Sequence, residues 1–409
     1  MPRITLASQI TTLRARFDAG GANGKQEVAG ELWGLCLQSG AAARAALPWL
    51  RELAVHRNQQ IVRYATHALG RAGEQGLRAL RKLLGHAREI VRCSAAYGLS
   101  EAGDTSAATL DPLAKMLRAR SADERAAALG ALGKIVVISE RRGILAPYED
   151  QIVAALDGAN AVVRTYAPEA VAGIFRSPKQ FVEFALARLD QPRDRARFEL
   201  VGALVERLED MDARPYLPTL LRILRANPQL AASFLGPLAQ AGREALDMVP
   251  VLEKLASGDS FEALRAGGAL LRIDGRQEVL GKLAKHLPES PDEIAGIICG
   301  MGPAAAPLAG ALAHVIDESF DEPDWDLMWA LTDALAAIES PEPVAIEALR
   351  KALSHESGRV QGSALNGLRK LGPAARAALP DLRRLLDGMS GGSRQVVRES
   401  IREIERPAN

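Results

Sequence analysis

One short pattern returns along this chain and limits what it can fold into. Val62-Arg63-Tyr64-Ala65-Thr66-His67-Ala68-Leu69-Gly70 reappears as Val91-Arg92-Cys93-Ser94-Ala95-Ala96-Tyr97-Gly98-Leu99. A second pattern spans almost the whole sequence. Gly40-Ala41-Ala42-Ala43-Arg44-Ala45-Ala46-Leu47-Pro48 near the start returns as Gly372-Pro373-Ala374-Ala375-Arg376-Ala377-Ala378-Leu379-Pro380 near the end. Self-similarity at a period of roughly 30–40 residues belongs to solenoids, in which each unit buries its apolar face only against its neighbours. Within each unit the apolar residues recur at i, i+3, i+4 and i+7, the spacing of one helix face. The expected architecture is therefore all-α, built from helical hairpins. At roughly 37 residues per unit, the length gives about 10 or 11 of them.

Composition agrees with a narrow, two-layer helical stack. Hydrophobic residues make up 48% of the 409 positions, while aromatics make up only 4%. Such an array can exceed the usual size of one core because it grows along a single axis. Three cysteines, Cys36, Cys93 and Cys299, form no C-x-x-C pair, and an odd number cannot pair off completely. Reduced, buried thiols and a cytoplasmic location are expected. No apolar run of about 20 residues reads as a membrane span. The N-terminus lacks an apolar signal core, and Leu6, Ile10, Leu13 and Phe17 instead share one helical face.

In the second helix of a unit, Val62, Ala65, Ala68 and Leu69 should point inward, with Gly70 and Gly73 marking the helix end. The proline of the first-helix pattern either starts the main helix or kinks one already begun. Pro168 should distort the helix opened by Val163-Arg164-Thr165. The chain reads as one array over 1–409, with a capping helix in 1–23, repeats over 24–390 and a capping helix in 391–409. The longest irregular stretches are 18–26, 136–148 and 316–324. The first of these is faintly like a phosphate loop. It fails that pattern because Ala19 stands at the first Gly position and Gln26 at the Ser/Thr position, and no strand precedes it.

The Val-Arg-x-x-Ala and Leu-Pro-x-Leu units resemble HEAT repeats, especially the short bacterial HEAT-like kind, over roughly residues 24–405. The resemblance implies a right-handed α-α superhelix whose second helices line the concave, ligand-binding face. It also implies that the arginine after valine, at Arg63, Arg92, Arg164 and Arg398, ties adjacent units together. Some HEAT-like proteins are enzymes. Deoxyhypusine hydroxylase binds iron through several His-Glu pairs, whereas this chain has one, His355-Glu356. The HEAT-like alkylpurine DNA glycosylases use a basic face with aromatics. Here Trp33, Trp49, Trp325 and Trp329 are scattered, and Trp33 and Trp49 fit apolar stripes. Nothing identifies a bilin site of the HEAT-like lyase type. No H-E-x-x-H, G-x-S-x-G or dinucleotide turn is present.

Charge is unevenly spread around a total of +1. Residues 1–150 carry a net +7, 151–280 a net −1, 281–350 a net −10 and 351–409 a net +5. The expected function is a non-enzymatic scaffold or adaptor that binds another protein, with no catalytic residues, cofactor or metal. Tyr64, His67, Arg71, Thr165 and Glu169 are the candidate contact residues on the second helices. Asp317, Glu318, Asp321, Glu322, Asp324 and Asp326 form a candidate acidic rim that would favour a basic partner or the basic end of a second copy. The alternative is a nucleic-acid-binding module using the basic N-terminal half.

Overall fold

The computed structural model describes residues 5–191, 198–320, 322–388 and 392–406. Among these residues every regular element is helical, α or 3-10, and no strand occurs. Contacts divide the chain into two units, residues 1–207 and 208–409.

The first unit opens with a hairpin of Leu6–Ala19 and Ala22–Gln38. The expected N-terminal cap is thus half of a pair, with Leu13 and Phe17 buried. Further hairpins follow. The segments Gly40–Ala45 and Leu47–Leu53 precede Gln59–Gly70, Glu74–Leu83 precedes Glu89–Ser100, and Ala107–Met116 precedes Ala122–Ser139. Second helices pack on second helices, so Gln59–Gly70 lies against Glu89–Ser100, and that helix lies against Ala122–Ser139. The four apolar residues Val62, Ala65, Ala68 and Leu69 are each no more than 1% exposed.

Glycine permits the closest of these approaches. A Cβ built on Gly98 would stand 2.4 Å from the Thr66 carbonyl oxygen, and one on Gly70 would stand 2.2 Å from the Gly98 carbonyl oxygen. Gly70 is the last residue of its helix, as expected, and serves close packing there without a left-handed backbone. Gly73 takes the positive φ, +71°, where the chain turns into Glu74–Leu83.

Prolines do both things the sequence allows. A short segment leads in, and a new helix begins with the proline in its first turn, at Pro48 and again at Pro250. Pro168 splits its helix into Ala161–Thr165 and Ala167–Ala172 around Tyr166.

The second unit repeats the pattern. Its pairs include Val249–Leu255 with Phe261–Asp274, Glu278–His286 with Pro291–Met301, Ala309–Ser319 with Trp325–Ile338, and Pro343–Ala352 with Gly358–Leu371. One continuous apolar core runs from Leu264 to Ile404. Gly392–Glu405 packs on Leu379–Gly388 as the second helix of a final pair. Residues 291–319 are helical and apolar enough to match a membrane span by composition, with a mean hydropathy of 1.5 over the window. Gly302, at φ +58° and ψ −138°, breaks the stretch. The two halves belong to successive hairpins of this core.

Candidate partner-binding surface

The turn inside each hairpin explains what the Val-Arg arginines do. The Arg92 Nη1 donates to the carbonyls of His86 at 2.6 Å and Ala87 at 2.8 Å. Its Nε and Nη2 grip both oxygens of Glu124 in the next hairpin, at 3.1 and 2.5 Å. Arg164 repeats this, donating to the Gly158 and Ala159 carbonyls and to Glu199. Arg125 closes its own turn through the Ala119 and Arg120 carbonyls, and Gln361 does so through His355. One guanidinium thus satisfies the carbonyls of a turn and fixes the neighbouring hairpin.

Arg63 departs from the pattern. It is exposed, and no hydrogen bond from its guanidinium occurs among the described residues. The Arg57 carbonyl it would use is taken from the next hairpin by Arg88, which also holds the Val55 and His56 carbonyls. Arg398 is exposed as well, and the turn before it includes residues 389–391, which lie outside the described ones.

Histidines belong to the same turns. The Nδ1 atoms of His56, His86 and His355 each accept the backbone N–H two residues later, at 3.0, 3.1 and 3.0 Å. His355 is 6% exposed, with Phe320 and Trp325 edge-on to its ring, so it sits inside its turn rather than on the surface. No group of three or more His, Cys, Asp or Glu residues suited to a metal ion occurs among the described residues.

The outward face of the second helices in the first unit carries most of the candidate contacts. Tyr64 stacks on Trp33 of the preceding second helix, with ring centroids 5.3 Å apart. Trp33 is therefore a half-buried partner on this face, whereas Trp49 is core at 4% exposure. His67 lies 3.3 Å from Glu101, and Arg71 lies 3.8 Å from the same carboxylate. Lys134 of the next helix donates to it at 2.6 Å. Glu101 is thus the hub of three basic groups, two from the end of Gln59–Gly70 and one from Ala122–Ser139. Burial pushes the His67 imidazole below its ordinary pKa; Glu101 opposes that shift, while Lys134 and Arg63 add to it.

Tyr97 and Tyr166 close over Gly130, whose Cβ would stand 3.3 Å from each ring. Burial first, and then Tyr166, push the Tyr97 phenol up to about 12. Tyr166 itself is 44% exposed. Thr165 is exposed but bonds its own helix at the Ala161 carbonyl. Glu169 packs over Gly133 and accepts from Arg207 at 2.8 Å, so it is half committed to the fold. The sequence-derived candidates Tyr64, His67 and Arg71 lie beside Trp33, Tyr97, Glu101, Lys134 and Tyr166, which sequence reasoning did not single out. The legible signal was the recurrence of an aromatic at 33, 64 and 97, about one repeat apart.

The acidic stretch of the second unit is partly paired in place. Lys351 donates to Asp317 at 2.8 Å, His314 lies 3.4 Å from Glu318, and Arg359 donates to Asp326 at 2.9 Å. Asp324 caps Trp325–Ile338 through the Leu327 N–H. Glu322 is exposed, and Asp321 lies outside the described residues. Arg359 also covers the Trp329 ring at 3.9 Å, while Trp325 stays 51% exposed. Of the cysteines, Cys36 is buried and Cys93 and Cys299 are half-buried. Burial pushes each thiol up to about 11.

These turns and stacked second helices are what the sequence comparison recognises. Residues 47–133 match the family profile of HEAT repeats. That segment is a HEAT-repeat array. It contains the Arg92 and Arg125 turns and the Tyr64, His67, Glu101 and Tyr97 surface. No curated protein matches the chain. Among solved structures it is similar to an engineered protein at 20% identity, covering 90% of this chain and 99% of that one with a TM-score of 0.30. It is also similar to importin beta at 13% identity, covering 98% of this chain and 61% of that one with a TM-score of 0.45. A third similarity is to the karyopherin Kap121p bound to the extreme C-terminus of the protein phosphatase Cdc14p, at 14% identity and a TM-score of 0.42. It covers 98% of this chain and 49% of that one. The chain thus spans about half to three fifths of the karyopherins' length.

Proposed function

We propose that this chain is a non-enzymatic, cytoplasmic scaffold that binds another protein along the exposed face of its N-terminal second helices. The observation that carries the reading is the cross-helix row of amphipathic side chains there. Trp33 with Tyr64, the His67–Glu101–Lys134 cluster, and Tyr97 with Tyr166 span successive helices of one HEAT-type stack. Tyrosine, tryptophan and arginine are the side chains on which protein interfaces concentrate their binding energy. Their rotamers are already fixed by stacking and ion pairing, so ordering them on binding costs little. Burial raises the pKa of all three thiols to about 11, which disfavours the reactive thiolate. The ion pairs at Asp317 and Asp326 favour Trp325 and Glu322 as the partner-facing groups of the second unit.

The test is an affinity capture with the full chain beside a Tyr64→Ala/Tyr97→Ala variant, followed by titration of the captured protein. The reading expects one stoichiometric partner whose affinity falls at least tenfold in the variant. Capture of nucleic acid instead, or equal protein affinity for both chains, would overturn it.

A further inference from the structure

A cavity of about 350 Å³ lies at the N-terminal end, between the first and second hairpins, bounded by Gly20, Gly21 and Lys25 on one side and His56, Arg57 and Asn58 on the other. It lies outside the proposed contact row and uses the Gly-rich 18–26 stretch that fails as a phosphate loop. No carboxylate lines it. Its two formal cations, Lys25 and Arg57, have no acidic partner among the described residues. The two arginines of the first helix are paired, Arg14 with Glu52 and Arg16 with Glu31, whereas Arg63 lacks an acidic partner as Lys25 and Arg57 do.

The remaining groups supply donors as well. The His56 Nδ1 accepts the Asn58 N–H, which leaves the proton of the neutral ring on Nε2 as a donor. Burial, followed by Arg57, Lys25 and Arg88, lowers the His56 pKa, so the local potential is positive. The ammonium of Lys25 is held over the Phe17 ring at 5.4 Å, and Arg88 is fixed on the carbonyls of the 55–57 turn. Ala22–Gln38 starts beside these groups, with Gly21 as a cap that has no side chain and with no acid in its first turn.

We propose that this cavity binds a phosphate-class oxyanion, with Lys25 and Arg57 neutralising its charge and the His56 N–H contributing a hydrogen bond. Two cations without an acidic partner and a neutral donor, all lining one carboxylate-free cavity, are complementary to a compact dianion. The same oxyanion could come from free phosphate or from a phosphorylated side chain of a partner.

The experiment titrates the full chain with inorganic phosphate and, separately, with a short phosphoserine peptide and its unphosphorylated form, by calorimetry at low ionic strength. Three variants accompany the wild type: Lys25→Ala/Arg57→Ala, Lys25→Arg, and the remote control Lys179→Ala, whose lysine lies in an exposed ion pair with Glu183. The double variant should bind at least tenfold more weakly at unchanged melting temperature. Lys25→Arg and the control should stay within about twofold. Tighter binding of the phosphopeptide than of phosphate assigns the site to a phosphorylated side chain, and equal binding assigns it to the free ion. Absence of binding by both probes, or binding that the double variant leaves unchanged, refutes the proposal. Neither result depends on the protein-contact row, because Tyr64 and Tyr97 are untouched.

Discussion

Replacing Arg92 by Ala, beside the same change at Arg63, isolates what the Val-Arg arginine contributes. Both occupy the same place in consecutive repeats. Arg92 loses two hydrogen bonds to turn carbonyls and a two-pronged grip on Glu124, whose side chain is 12% exposed against 22% for Arg92 itself. Hydrogen bonds to a charged group are worth about 1.5–3 kcal/mol each in stability, and an acceptor left unmet keeps its desolvation cost. The four bonds share one guanidinium, and water can reach part of the vacated site, so they will not sum. An overall loss of about 2–3 kcal/mol is expected, below the roughly 3–5 kcal/mol for breaking a fully buried ion pair. Arg63 has none of these bonds, so its loss should stay within about 0.5 kcal/mol, as for an ordinary surface change. Hydrogen exchange across 86–100 is the direct assay, because repeat arrays open locally rather than all at once. An effect of 2 kcal/mol raises the exchange rate of protected amides there about 30-fold. Denaturant midpoints provide a second reading. Equal losses at the two positions would show that the turn carbonyls and Glu124 are not what the arginine stabilises.

Gly98→Ala should cost about 3 kcal/mol or more, since the new methyl would meet the Thr66 carbonyl oxygen at 2.4 Å; a mild effect on melting would mean the two helices separate easily. Gly296→Ala is expected to act oppositely, because its Cβ would find nothing within 4 Å, and should gain about 0.5–1 kcal/mol in denaturant unfolding. His56 and His67 both have folded pKa values depressed below the ordinary 6.5, chiefly by burial, so the unfolded chain takes up protons first as pH falls. Their contribution is complete above 6.5 and lost as pH drops through the folded values, so the melting temperature should decline from pH 7 to pH 5. His67→Gln should flatten that decline, and an unaltered slope would count against the assignment. The three thiols, pushed up to about 11, should react slowly with a disulfide reagent at pH 7 in the folded protein and quickly after unfolding. Fast labelling of Cys36 in the native state would contradict its burial.

The repeat itself determined the helical class, the pairing of helices and the inward faces. Val62, Ala65, Ala68 and Leu69 are buried because 3.6-residue periodicity leaves one stripe to bury and a neighbouring repeat to bury it against. Proline placement and the tie made by Arg92 and Arg164 were legible for the same local reason. What the sequence could not decide depends on which side chains meet across repeats. Arg63 and Arg92 are identical in pattern, yet Arg88 reaches back and takes the carbonyl that Arg63 would use. Glu101 looks like any surface acid until the stack sets His67, Arg71 and Lys134 around it. The acidic run 317–326 reads as a free negative rim, but Lys351 and Arg359, each more than 30 residues later, come back to it in the next hairpin. Gly20 to Lys25 reads as a failed nucleotide loop; folding brings His56 and Arg57 against it, and only that meeting creates a cavity with unmet positive charge. Periodicity is a property of a single helix and is written locally. The pairing of charges and rings is a property of the stacking between hairpins, which tertiary packing alone fixes.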